Sequence, residues 1–286
     1  MPRVLVVGSV NVDLHLRVPR LPAAGETVLS GSFDRVPGGK GGNQACAVAA
    51  LGVPVELLAA VGDDADGVFS LDALRAAGVG VDRVVTVASP TGLAIVMVDA
   101  AGENAIAVVS GANAALGPEH LDRASFVGVD AVVLLLEVPL PTVVAALGLA
   151  REVGARVVLN AAPAMALDES LLERVDVLVV NEGEAKLLGA GAPLAAREAV
   201  VITRGALGCT VRDARGSRDV AAYAVDAVDS TGAGDCFVGA LTAALVSGRD
   251  IDAAARYASA AAALSVQRSG ARSAPDAHGV LSLLGE

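Results

Sequence analysis

The chain has 286 residues, 54% of them hydrophobic but only 2% aromatic, with a formal charge of −11. This length holds one large domain, or one domain with a small appendage, and the acidity excludes the basic face that a nucleic-acid backbone needs, while a nucleotide can still bind through a local cradle of N–H groups. A mean hydropathy of +0.61 raises a membrane question, but no uninterrupted apolar run reaches the roughly 18 residues a span requires.

The N-terminus runs directly into a short Val/Leu strand without a leader-type apolar region. Cys46, Cys209 and Cys236 are scattered and fit buried thiols in a reducing compartment. A cytoplasmic protein is expected, with no membrane and no nucleic-acid partner. His15, His120 and His278 lie too far apart in the chain to suggest a histidine metal site.

In chain order, residues 3–8 predict a strand ending in Gly8, and 13–16 and 27–36 predict short strands around the turn from Pro19 to Gly25. Residues 42–51 are Ala-rich and helical up to Gly52, 55–61 predict a strand, and 65–77 a helix stopped by Gly78. Segments 92–99 and 104–109 predict a hairpin. After Gly111 the pattern becomes a steady alternation, with apolar strands at 131–136, 156–160, 177–180 and 199–203 and helices after most of them. Helices are expected over 233–247 and 251–266. The fold class that follows is α/β, a mostly parallel sheet covered on both faces with a small separate β-layer.

The chemistry concentrates in a few segments. Asp229-Ser230-Thr231-Gly232-Ala233-Gly234-Asp235 leads into an apolar helix, whose mouth offers unpaired N–H groups and a positive dipole end to a phosphate. A carboxylate there repels a phosphate, so Asp235 makes sense if it removes a proton beside one. Gly38-Gly39-Lys40-Gly41-Gly42-Asn43 is neither a Walker A loop nor G-x-G-x-x-G. It is either a flexible turn with a helix cap or a close backbone approach to a ligand.

Asn11 and Asp13 sit past the first strand, two apart, and fit either a turn pair or a grip on adjacent sugar hydroxyls. Glu137 closes the strand at 131–136, as a site carboxylate or a helix cap. Asn181-Glu182-Gly183-Glu184 follows another strand, for capping or for Mg²⁺ held through water. Thr203-Arg204-Gly205-Ala206-Leu207-Gly208 is either a hairpin turn or a loop over nucleotide phosphates.

Together Gly38–Ala45 and 229–239, in this order and separation, resemble the ribokinase (PfkB-type) family of sugar kinases over essentially the whole chain. Segments 8–13, 22–28, 102–104, 111–116 and 160–164 agree with the same pattern in register. The resemblance implies a three-layer α/β/α domain over 1–286 with lid strands inserted within about 13–36 and 92–109, the lid doubling as the clasp of a homodimer. It implies transfer of the ATP γ-phosphoryl to the 5-hydroxyl of D-ribose, with Asp235 as base and the N–H groups of Gly232, Ala233 and Gly234 as anion hole.

Asn11, Val12, Asp13, Gly39, Lys40, Gly41, Gly42, Asn43, Glu137 and Asp235 would line the sugar site. Asn181, Thr203, Arg204, Gly205, Ala206, Leu207, Gly208, Gly234, Asp235 and Ser259 would meet ATP, and Glu184 would tune Mg²⁺ through water. An activating K⁺ would take Asp229, Thr231, Ser265, Arg268, Gly270 and Ser273. Asp229 by itself, with no obvious helix to cap, reads as a buried carboxylate in want of a cation.

The chain departs from the family pattern in a short 189–197 segment, in Ser230 and Gly232, and in a C-terminal 270–275 stretch one residue short. A relative acting on deoxyribose, another sugar or a nucleoside, and a sugar-binding regulator without catalysis, are the alternatives. The intact Gly234-Asp235 pair opposes the last.

Overall fold

The computed structural model describes residues 3–188 and 196–286, so the segment 189–197, read as shortened, lies outside the described residues apart from Ala196 and Arg197. Strands β1 (Val4–Val7), β4 (Val55–Gly62), β5 (Gly80–Val87), β8 (Ala131–Leu135), β9 (Arg156–Asn160), β10 (Val177–Asn181), β11 (Ala199–Thr203), β12 (Cys209–Asp213) and β13 (Gly216–Val220) form a nine-stranded sheet in the order β13-β12-β11-β10-β9-β8-β1-β4-β5. All pairs from β11 to β5 are parallel, and β12 and β13 add an antiparallel edge.

Alternate residues of the central strands go to opposite layers, as the two-residue period demands. Val4 and Val6 pack with helices α1 (Lys40–Ala50), α6 (Ala233–Val246) and α7 (Ile251–Ser265). Leu5 and Val7 pack on the other side with Phe126, Leu116 and helix α3 (Leu140–Val153). The expected three-layer α/β/α architecture is thus present.

A second sheet of β2 (Asn11–Arg17), β3 (Ser32–Gly38), β6 (Gly92–Val98) and β7 (Asn104–Val109) runs in the order β3-β2-β6-β7. The two early β segments join here because β2 and β6 pair in parallel, Asn11 opposite Gly92. The β6–β7 hairpin matches expectation. The strand expected at 27–36 instead starts at Ser32, because its antiparallel partner β2 ends at Arg17 and leaves 27–31 without a ladder.

This lid is tied to the body. Thr91 N–H and Oγ donate to Asp64 Oδ2 and Oδ1 at 2.8 and 2.7 Å, and the Arg35 guanidinium lies 4.1 Å from the centre of the Phe69 ring. Among the described residues no helix is long and apolar enough to cross a membrane.

Candidate active site

The strand order reverses around β1, which pairs with β4 on one side and β8 on the other. Ligands settle beyond the carboxyl ends of strands at such a point. Two residues after β1, Ser9 Oγ donates to Glu137 Oε2, which sits two residues after β8. Lys40 N–H donates to the same carboxylate oxygen at 3.0 Å, and Gly41 N–H to Ser9 Oγ at 3.2 Å.

The glycine-rich start of α1 is thereby laid across the end of β1. A Cβ at Gly41 would lie 2.5 Å from Ser9 N, and Gly39 takes φ 85 as the residue before the helix. The helix therefore begins at Lys40, two residues before the expected start at 42, because the glycines serve close approach rather than a loose turn.

Asn11 and Asp13 share a face of β2. Asn11 Oδ1 accepts from Asn113 Nδ2 at 2.7 Å, and the Asn113 side chain also pairs with both backbone groups of Val10. Val12 points the other way and is fully buried, in a strand paired on both sides, so its side chain is closed to a ligand. Asp13 packs against Gly38, where a Cβ would come within 2.2 Å of its carboxylate, and its Oδ1 is buried with no partner. Burial, with the negative Glu137 and Asp235 nearby, raises the Asp13 carboxyl to about 6 despite Arg272 and Lys40. Asp235, seconded by Glu137, Glu184 and Asp13, holds the Lys40 ammonium above its ordinary value against burial.

Asp235 lies in the first turn of α6 and is 6% exposed. Both its oxygens are held by α1: Asn43 Nδ2 donates to Oδ2 and Gln44 Nε2 to Oδ1, each at 3.0 Å. One turn further on, Gly239 lets the helices meet. A Cβ there would lie 2.6 Å from Ala47 Cβ and 2.8 Å from Gln44 O. At the mouth of α6, Gly232 is left-handed at φ 75. Ala233 N–H is turned to Ser230 O at 3.2 Å, while the N–H groups of Gly232, Gly234 and Asp235 have no backbone acceptor among the described residues. The donor set open to an anion thus differs from the expected one by trading Ala233 for Asp235.

The proposed nucleotide side is built from ordinary local structure. Asn181 Oδ1 accepts from Glu184 N–H and Glu184 Oε2 accepts from Asn181 N–H, both at 2.8 Å, a reciprocal cap for helix α5 (Glu182–Leu188). Residues 204–208 form the turn between antiparallel β11 and β12, and Gly208 sits so close to Val220 O that a Cβ would be 2.1 Å away. Thr203 Oγ1 donates to Val180 O at 3.3 Å and Arg204 pairs with Asp219. Ala206 and Leu207 are exposed, whereas Ser259 is buried behind the hairpin with its Oγ 3.9 Å from Cys209 Sγ.

The residues assigned to a monovalent cation gather beside the α6 mouth. Asp229 accepts from the N–H groups of Thr231 and Gly270, each at 2.9 Å. Arg268 N–H and Ser273 Oγ both donate to Ser265 O, at 3.2 and 2.9 Å. Asp229 is half-exposed rather than buried, a correction to its sequence reading. Burial pushes its carboxyl up, but donors from Thr231, Gly270 and Ser269 outweigh this and hold it below the ordinary range. Among the described residues no three or more His, Cys, Asp or Glu side chains cluster as a metal site.

The model of the "pfkB family carbohydrate kinase" matches residues 1–277. The chain belongs to this family of carbohydrate kinases. It is 38% identical to the ribokinase of Bacillus subtilis over 95% of each chain. It is 36% identical to the deoxyribokinase of Salmonella typhi over 94% of each. The solved Arabidopsis thaliana ribokinase complexed with ribose and ATP superposes with a TM-score of 0.91 at 31% identity, covering 100% of this chain and 99% of that one.

Within this pfkB-family kinase, four site residues escaped the sequence reading: Ser9, Gln44, Asn113 and Arg272. Gln44 had a usable signal, since it shares a helix face with the apolar Ala47 and Val48. Arg272 had none. Its Nε donates to Asn43 Oδ1 at 3.1 Å and its Nη2 to Gly38 O at 3.0 Å, and burial pulls it below its ordinary basicity.

Proposed function

We propose that this carbohydrate kinase is a ribokinase, transferring the ATP γ-phosphoryl to O5 of D-ribose to give ribose 5-phosphate and ADP. The observation that carries the reading is the buried Asp235 carboxylate, held at both oxygens by the helix that begins with the glycine-rich sugar loop, at the mouth of a second helix. A base placed there takes the hydroxyl proton as the oxygen attacks phosphorus. Charge growing on the phosphoryl oxygens meets the free N–H groups at positions 232, 234 and 235. Lys40, surrounded by carboxylates, supplies a compensating positive charge beside the base.

Asn11 and Asp13 offer the polar grip on sugar hydroxyls, with the Asn11 amide fixed by Asn113. Glu137 orders the loop through Ser9 and Lys40 N–H, and its second oxygen remains for the sugar. ATP would lie along Asn181 and the 203–208 turn. Mg²⁺ would come with the nucleotide phosphates, reached from Glu184 through water, and neutralise charge on their oxygens. K⁺ suits the Asp229 carboxylate and the carbonyls of the 265–273 loop, which are hard oxygen donors. The lid exposes Phe33, Ile106, Val108 and Val109, large apolar groups that a second copy would cover in a homodimer.

An ATP-consumption screen over ribose, 2-deoxyribose, fructose, adenosine and pseudouridine tests the substrate. Ribose should have the highest kcat/KM. A higher value for 2-deoxyribose would assign the chain to deoxyribose, and phosphorylation of a nucleoside alone would refute the pentose reading.

A further inference from the structure

Arg272 belongs to the C-terminal loop but reaches the opposite side of the site. Its neighbour Ala271 closes against the helix mouth, its carbonyl 2.3 Å from where a Cβ on Gly232 would stand. The guanidinium itself holds Asn43 Oδ1 and Gly38 O, and its third nitrogen, Nη1, is buried without a partner. A buried cation with an unmatched donor is costly to keep. The opposing charges that face it are Asp13 and Asp235.

Space is made for this group inside α1. Gly42 is a helical residue without positive φ, so alanine would be the better helix former there. A Cβ at Gly42 would lie 2.7 Å from Arg272 Nη2. The glycine is therefore explained by the guanidinium it seats.

An asparagine amide can adopt two orientations, and only one presents Nδ2 to Asp235. Arginine has donors only, so its Nε can engage Oδ1 but never the amide nitrogen. The flipped amide would set its oxygen against the Asp235 carboxylate and its NH₂ against Arg272. We propose that Arg272 is a positioning residue for phosphoryl transfer, acting through Asn43 to fix the amide that holds the base, with Gly42 as the space that admits it. This rests on the reading of Asp235 as the base of a sugar kinase.

Steady-state rates with sugar and ATP each varied test the proposal on wild type, Arg272→Met, Asn43→Ala and the double variant. Arg272→Met should lower kcat about 10- to 100-fold, the scale of a misplaced catalytic group, while KM for ATP stays within about twofold. The double variant should be no slower than Asn43→Ala, because the two residues act in series. Arg272→Lys, which keeps the charge without the planar fork, should not recover the rate. Multiplying effects, or wild-type kcat in Arg272→Met, overturn the proposal.

Gly42→Ala retains the arginine and improves helix propensity, and it guards against simple misfolding of the methionine variant. It should lower kcat in wild type and do nothing further in Arg272→Met; an unchanged kcat in the wild-type background also overturns the proposal. The wild-type rate on pentoses separates the two readings. An inert wild type refutes the sugar-kinase reading, whereas an active wild type with an unaffected Arg272→Met refutes only the role of Arg272.

Discussion

Asn43 Nδ2 donates to Asp235 Oδ2 at 3.0 Å, across 192 positions of sequence. Gln44 takes the other oxygen, so the carboxylate is fixed by two amide donors and has no freedom to rotate away.

Asp235→Asn follows directly. Its NH₂ must face either Asn43 or Gln44, both donors, so one hydrogen bond is lost along with the proposed base. Turnover should fall about 10²–10⁴-fold, with sugar binding by calorimetry nearly intact. A variant with near-wild-type turnover would remove Asp235 from the chemistry.

Gly239→Ala places a methyl 2.6 Å from Ala47 Cβ and 2.8 Å from Gln44 O. Helices α1 and α6 must separate, at a cost of about 1–3 kcal/mol in denaturant unfolding. Because Asn43 and Gln44 move with α1, kcat should fall as well, although residue 239 touches no substrate. Loss of stability with an unchanged kcat would show that the amide–carboxylate clamp tolerates the shift.

The raised Asp13 carboxyl gives a pH signature. Its folded value of about 6 lies above the unfolded 3.8, so the native state binds this proton more tightly between the two. The Asp13 contribution to stability therefore declines as pH rises through that window and stays at its lowest above about 6. On the proposed role of Asp13, an ionised carboxylate accepts from the sugar hydroxyls more strongly than the neutral acid, so kcat/KM for sugar should fall below about pH 6. Asp13→Asn should melt higher than wild type at neutral pH, bind sugar more weakly and lose that acid limb. Retention of the limb in the variant would assign it to another group.

Turnover in K⁺ buffer should exceed turnover in Na⁺ buffer, and Asp229→Ala should abolish the difference. Equal rates for wild type in the two salts would remove the cation assignment from the 229–231 and 265–273 segments.

Strands β8 to β11 were legible because both their faces are buried, which leaves continuous runs such as Ala131–Leu135. The sheet edges were not. β5 carries Asp82 and Arg83, the latter paired with Glu56, and β13 reads Gly-Ser-Arg-Asp-Val, a strand only because β12 supplies its ladder. Helix α8 (Ala277–Leu284) was missed too, although Asp276 caps it through Gly279 N–H at 2.8 Å.

In the site, the segments with unusual composition were visible: glycines around Lys40, and an aspartate at a helix mouth. Asn113, Arg272 and Ser9 were not singled out, since each acquires its task only from a partner more than 30 positions away. The capping reading of Asn181 and Glu184 is realised in the hydrogen bonds, and one oxygen of each side chain still has lone pairs to offer.

The clamp between α1 and α6 also sets an order of events during synthesis. A nascent chain that has emerged only through β13 carries the glycine-rich loop, Asp13 and Glu137, but neither the carboxylate that Asn43 and Gln44 grip nor the helix that fills the adjoining layer. On the ribosome the two amides that grip Asp235 precede it by about two-thirds of the message, and the proposed site is complete only when the last fifth of the protein closes over the first.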